Sequence, residues 1–125
     1  MFGSPKPKDL TPAEVKAGLD ENRILLIDVR EPAEFVAERI AGALNVPLSS
    51  FNPEALPDAG SRTIVMQCAG GKRSAMAVDQ CRKAGQVIET HLAGGLAAWK
   101  VAGLPTVAGL SAPGRMDESW QDFPF

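Results

Sequence analysis

Cys68-Ala69-Gly70-Gly71-Lys72-Arg73-Ser74 is the stretch of this 125-residue chain whose residue types and spacing can do chemistry. It follows Thr63-Ile64-Val65-Met66-Gln67, an apolar run read as a buried strand. It precedes an amphipathic run from Ser74 to Ala84 that stops at Gly85, the pattern of a helix. A cysteine between a strand end and a helix start meets unpaired backbone N–H groups and the positive end of a helix dipole. Successive N–H groups in a tight glycine-bearing loop make a nest for an anion, and the cysteine's own thiolate is the anion at hand. An ordinary thiol is only about 3% ionised at neutral pH. Helix N-termini and adjacent cations bring cysteines to a pKa of about 3.5–7.5, and Lys72 and Arg73 add that field. Cys68 is therefore the candidate nucleophile, set against the plainer reading of a buried cysteine beside a loop.

The elements that must position this loop are legible around it. Thr11-Pro12-Ala13-Glu14 has the form of a capping box opening a helix over 12–19, with Leu10 and Val15 as its hydrophobic staple. Ile24-Leu25-Leu26-Ile27-Asp28-Val29 reads as a strand buried on both faces. Residues 32–38 have helical spacing, and 43–47 read as a brief strand. Val87-Ile88-Glu89-Thr90 reads as another short strand, and Gly94-Gly95 opens a helix through Leu96 and Trp99 that stops at Gly103. Strands alternating with helices predict an α/β fold, a parallel sheet of four to five strands with helices on both faces. Residues 1–8 are expected to be a loose lead-in, 9–106 the domain, and 107–125 a tail ending in Trp120, Phe123 and Phe125.

Composition narrows the function classes. Apolar residues make up 45% and charged residues 22%, which excludes an intrinsically disordered chain. The net charge of -2, with Lys and Arg never in runs longer than a pair, leaves no footprint for nucleic acid. No apolar run has the length of a membrane span, and the first residues lack the apolar stretch of a secretory signal. Two cysteines in such a chain are expected to be free thiols in the cytoplasm.

Three further residues or pairs invite a role. Asp28 and Arg30 close a strand at the same sheet edge as Cys68. They either fix the loop, with Asp28 pairing to Arg73, or form an ion pair that supports the fold, and the second reading is preferred. Cys81 lies seven residues beyond Ser74, about 10 Å along a helix, too far to resolve a bond at Cys68. It is read as core. His91 could serve as a base for the thiol, but the loop's field already favours the thiolate. A strand-end histidine with ordinary hydrogen bonds is the preferred reading.

The chain resembles the single-domain rhodanese family of sulfurtransferases. The matching pieces are Ile27-Asp28-Val29-Arg30-Glu31-Pro32-Ala33-Glu34-Phe35, Ile40-Ala41-Gly42-Ala43-Leu44-Asn45-Val46-Pro47, the Cys68 to Ser74 loop, Leu92-Ala93-Gly94-Gly95-Leu96-Ala97-Ala98-Trp99 and Ala102-Gly103-Leu104-Pro105. They run in order across about 9–106. The resemblance implies that Cys68 takes a sulfane sulfur from a donor such as thiosulfate, becomes a persulfide, and passes the sulfur to cyanide or a thiol acceptor. It also implies that the N–H groups of Ala69, Gly70, Gly71, Lys72 and Arg73 hold the outer sulfur, with no metal or organic cofactor. Related phosphatases and arsenate reductases place an arginine six positions after the cysteine. Here that position is Ser74 and Arg73 is the fifth, so the nest is smaller and suits sulfur better than phosphate. Two positions depart from the family pattern: Ala69 and Gly70 stand where many thiosulfate-active members carry a cation, and Arg39 stands where a histidine is frequent. The alternative function is a non-catalytic rhodanese-like module that delivers or recognises a protein partner.

Overall fold

A computed structural model of the chain describes residues 6–109. Its strands are β1 (Lys8–Leu10), β2 (Ile24–Asp28), β3 (Glu38–Arg39), β4 (Leu44–Asn45), β5 (Thr63–Gln67), β6 (Thr90–Leu92) and β7 (Val107–Ala108). Its α-helices are α1 (Pro12–Asp20), α2 (Pro32–Ala37), α3 (Lys72–Lys83) and α4 (Gly95–Val101), and short 3-10 turns cover Leu48–Ser50 and Pro53–Ala55. Five strands form one sheet in the order β1-β6-β5-β2-β4, every pair parallel. The expected α/β architecture is therefore present, at the upper end of the expected strand number.

Side chains of a strand alternate between faces, and β2 divides accordingly. Ile24 and Leu26 pack with Val15 of α1 and with Leu96 and Trp99 of α4. Leu25 and Ile27 pack on the other face with Ala77, Val78 and Cys81 of α3. Both faces of the sheet are thus covered by helices, which explains why β2 is apolar without alternation. The capping box of α1 forms as expected: the Glu14 N–H donates to Thr11 Oγ1 at 3.1 Å, and the Thr11 N–H donates to Glu14 Oε1 at 2.9 Å.

Several boundaries differ from the sequence expectation. The lead-in to residue 8 and the domain edge at 9 divide β1, whose Lys8, Asp9 and Leu10 pair with Thr90, His91 and Leu92. The strand read at 87–90 lies at Thr90–Leu92, because only from Thr90 on does the backbone run between β5 and β1. Val87 is 94% exposed, so its apolar type marks no sheet position. The helix expected from Ser74 starts at Lys72. At the other end, Arg39 and Glu38 pair antiparallel with Val107 and Ala108, so the first residues assigned to the tail are in a strand. The rest of that tail, with Trp120, Phe123 and Phe125, lies outside the described residues.

Candidate active site

β5 is flanked by β6 and β2, and Cys68 is the first residue beyond its carboxyl end. Sites in open parallel sheets form at that end of the strands. The chain then turns through Ala69 and Gly70 to Gly71, which caps α3 in the left-handed region at φ 106°. A side chain is strained in that conformation, so the glycine is required by the turn itself. The turn closes the loop over the Cys68 sulfur. The Gly71 N–H donates to Sγ at 3.0 Å and the Ser74 N–H donates to it at 3.3 Å. The Ser74 hydroxyl stands 3.5 Å from Sγ.

The loop's carbonyls are turned the other way and held by α4. The Leu96 N–H donates to the Cys68 carbonyl at 2.8 Å, and the Ala97 N–H donates to that of Ala69 at 3.0 Å. The Gln67 side-chain amide also donates to the Cys68 carbonyl, at 2.9 Å. The first-turn donors of α4, which have no partner within their own helix, thus satisfy the loop's acceptors while the loop's donors face the sulfur. Gly95 makes this approach possible: a Cβ there would fall against the Cys68 carbonyl oxygen and 2.7 Å from the Ala69 carbonyl.

Two opposed effects set the acidity of Cys68. Burial pushes the thiol up, while the Ser74 hydroxyl and the N–H groups of Ser74, Gly71 and Gly70 pull it down. The donors outweigh burial, and the thiol lies below its ordinary value. Cys81, fully buried on α3 against the sheet, has only burial acting on it, which pushes its thiol up to about 11. Both cysteines are unpaired.

Asp28 and Arg30 take the preferred of their two expected roles, an ion pair with each other. Asp28 does not pair with Arg73. Its carboxylate accepts from the Arg30 N–H at 2.9 Å, and from the Arg30 guanidinium at 2.8 Å through Nη2. Arg30 also donates to the Glu38 carbonyl, so this buried pair ties the end of β2 to β3 and supports the fold. Arg73 instead turns to α2, where its Nη1 and Nη2 donate to the two carboxylate oxygens of Glu34 at 2.7 and 3.0 Å. Lys72 is exposed, and its N–H and that of Arg73 belong to the first helical turn of α3, which has no acceptor within its own helix. Arg39 stacks on Phe35 and donates to the Gly109 carbonyl at 2.7 Å, a packing role at the domain edge.

Ser74 and Glu34 escape the sequence reading, whereas His91 makes the ordinary hydrogen bonds expected of it, from within β6 and not at its end. Ser74 has the place of a helix start in the sequence, yet it presents both its N–H and its hydroxyl to Sγ. Glu34, within the α2 capping motif, carries no mark of its partner Arg73. His91 lies in the middle of β6, with Nδ1 2.8 Å from Ser74 Oγ and Nε2 2.8 Å from Asp9 Oδ1. Among the described residues no group of three or more His, Cys, Asp or Glu could hold a metal ion, and no helix is long and apolar enough to cross a membrane.

Comparison with known proteins agrees with this fold. The rhodanese-like domain family matches residues 11–102. An uncharacterized protein of Synechocystis is 45% identical over 83% of this chain and 58% of its own length. A probable adenylyltransferase/sulfurtransferase MoeZ of Mycobacterium tuberculosis is 41% identical over 75% of this chain and 25% of its own. The chain therefore spans little more than half, or less, of those relatives. A sulfurtransferase of Allochromatium vinosum is 34% identical over 71% of this chain and 83% of its own length. Among solved structures, a thiosulfate sulfurtransferase of Pseudomonas aeruginosa superposes with a TM-score of 0.72 at 28% identity, over 86% of this chain and 20% of that one. With a family match across nearly all of the described fold and relatives named as sulfurtransferases, the chain belongs to the rhodanese-like family.

Proposed function

We propose that the protein is a sulfurtransferase working through a persulfide on Cys68. The observation that carries this reading is the convergence of the Gly71 N–H, the Ser74 N–H and the Ser74 hydroxyl on Cys68 Sγ, which favours a thiolate despite burial. In the first half-reaction the thiolate attacks the outer sulfur of thiosulfate. An S–S bond forms to Cys68, the donor's own S–S bond breaks, and sulfite departs with the electron pair. In the second, cyanide or a thiolate attacks the outer sulfur, and Cys68 departs as the thiolate. Splitting one transfer into two displacements at the same atom is covalent catalysis. The N–H groups of Ala69, Gly70, Gly71, Lys72 and Arg73 are assigned to the outer, negatively charged sulfur, with Asp28 and Arg30 supporting the strand end beneath. The relatives named as sulfurtransferases support this chemistry. Two unpaired cysteines suit a reducing compartment, and we place the reaction in the cytoplasm with a thiol or protein acceptor.

Intact mass tests this directly. The purified protein should gain one sulfur atom on exposure to thiosulfate and lose it to cyanide, and Cys68→Ser should gain none. Loading of Cys68→Ser, or failure of the unsubstituted protein to load from both thiosulfate and polysulfide, would overturn it. One observation favours a second reading, a non-catalytic module that recognises a protein partner. The Arg73 guanidinium is occupied by Glu34, and Ala69 and Gly70 are uncharged, so the loop offers an anionic donor little side-chain charge beyond Lys72. Failure with both donors would favour that module.

A further inference from the structure

Behind the sulfur, Ser74 leads inward to a buried histidine and on to a carboxylate on the edge strand. Ser74 Oγ is 3.5 Å from Cys68 Sγ, 2.8 Å from His91 Nδ1 and 3.1 Å from the Gly71 carbonyl. His91 Nε2 is 2.8 Å from Asp9 Oδ1. The four side chains come from β1, the Cys68 loop, α3 and β6, and the imidazole is only 8% exposed.

Hydrogen-bond accounting determines how protons run along this chain. An ionised carboxylate only accepts, so Asp9 places the proton of a neutral imidazole on Nε2. Nδ1 is then an acceptor that competes with the Gly71 carbonyl for the single Ser74 O–H; that carbonyl also accepts from the Ala75 N–H at 3.2 Å, so the hydroxyl proton is assigned to the nearer Nδ1. The serine oxygen is left to accept, and the Cys68 S–H is the donor facing it. Ionisation of Cys68 by loss of its proton to water breaks this order. The single Ser74 hydroxyl proton is then wanted by both Nδ1 and the thiolate: given to the thiolate it leaves Nδ1 without a donor, and given to Nδ1 it leaves the thiolate only the Gly71 and Ser74 N–H groups.

Resting on the assignment of Cys68 as the sulfur carrier, we propose that Asp9, His91 and Ser74 form a proton relay that receives the Cys68 thiol proton. The S–H bond breaks as that proton bonds to Ser74 Oγ. The original Ser74 O–H bond breaks as its proton bonds to His91 Nδ1. No atom is oxidised or reduced, and the net charge is unchanged: a thiol and an imidazole become a thiolate and an imidazolium. Every group is then matched. The Ser74 O–H donates to the thiolate, Nδ1–H to Ser74 Oγ, and Nε2–H to the Asp9 carboxylate. His91 and Asp9 are positioning residues in this scheme, acting on the sulfur through Ser74.

The charged groups around the imidazole are consistent with this role. Asp9 faces it from β1, and the thiol faces it through Ser74. β5, beside β6, carries no ionisable residue over Thr63–Gln67. On α3, Lys72 is exposed and Arg73 is bound to Glu34, and on α4, Lys100 is bound to Glu38.

Alkylation of Cys68 by iodoacetamide reads the thiolate without requiring sulfur transfer. His91→Phe and Ser74→Ala should each raise the Cys68 thiol by about one pH unit, slowing alkylation about tenfold on the acid side of its titration and by less at neutral pH. Well above the thiol range, where every Cys68 is ionised, both should match the unsubstituted protein. On the acid side the double variant should be slowed about tenfold, not a hundredfold, because the two residues act in series. Asp9→Asn, on the exposed edge strand, should slow alkylation there about threefold, a smaller part of the same one-unit effect. Equal rates on the acid side, slowing that persists at alkaline pH, or multiplicative effects in the double variant would each overturn the relay. If His91→Phe does not fold, Asp9→Asn decides, and an unchanged rate there overturns the proposal. The chain holds one histidine, so ring nitrogen resonances of tag-free protein report its proton without assignment, and a neutral ring protonated on Nδ1 would also overturn it. Loss of persulfide formation with these alkylation ratios intact would instead count against the sulfur-transfer reading alone.

Discussion

Cys68 and Cys81 belong to the same apolar cluster and are both almost fully buried, yet they differ in what faces the sulfur. At Cys68, backbone and hydroxyl donors oppose burial and leave the thiol below its ordinary value, whereas Cys81 has burial alone and rises to about 11. A limiting amount of iodoacetamide at neutral pH should therefore label the folded protein once, at Cys68, with Cys81 labelled only after denaturation. Peptide mapping checks this, and comparable labelling of Cys81 in the folded state would contradict it. Cys68, the proposed nucleophile, is legible in the sequence because strand, glycine turn and helix start lie next to one another in the chain. Its helpers are not. Ser74 looks like any N-terminal helix residue, and Asp9 meets His91 across 82 positions that no local pattern connects. His91 makes the ordinary hydrogen bonds that the sequence predicts for it. The sequence does not show that one of them goes to a hydroxyl interposed between imidazole and sulfur.

Among the elements, length decided legibility. β2, β5 and α1 have enough residues to show a period or a cap, and the structure places them within a residue or so of expectation. β1 and β6 have three residues each, and their sequences Lys-Asp-Leu and Thr-His-Leu contain one apolar residue apiece. Their pairing comes from the tertiary fold, which overrides a weak β preference. α4 shows how a short element can matter more to the site than its length suggests, since its first turn holds the carbonyls of Cys68 and Ala69. Gly95→Ala should push that turn away from the loop through the new Cβ and the positive φ of 61°. The expected cost is about 2–4 kcal/mol in denaturant unfolding, combining overpacking with left-handed strain. Alkylation of Cys68 at neutral pH should slow in the same variant, since a loop that loses its anchors no longer aims its N–H groups at the sulfur. A variant of unchanged stability and reactivity would show that α4 does not hold the loop.

For the molecule as a whole, the loop is fixed by two elements, by α4 through its backbone and by α2 through the ion pair of Glu34 with Arg73. That pair joins elements 39 residues apart and gives stability a dependence on acid. The Arg73 guanidinium, donating to both carboxylate oxygens, holds Glu34 at about 2, against an ordinary value of 4.5. The folded protein thus binds a proton at Glu34 less readily than the unfolded chain does. The pair's contribution is complete above pH 4.5 and is lost as the pH falls through about 2. The Glu34 side chain is 38% exposed, so solvent screens the interaction, and a contribution of about 0.5–1 kcal/mol is expected rather than the full linkage value. Glu34→Gln should accordingly lower the denaturant midpoint at neutral pH, and the difference from the unsubstituted protein should shrink as the pH is taken below 4.5. A difference that stays constant into acid would mean that Glu34 acts through packing instead of charge. Reactivity separates the two anchors further. Removing Glu34 frees the Arg73 guanidinium beside a loop whose first half has no cation, so Glu34→Gln should load sulfur from thiosulfate faster even as it loses stability. Slower loading would mean that the loop's shape, held by the ion pair, matters more to an anionic donor than the charge the pair conceals.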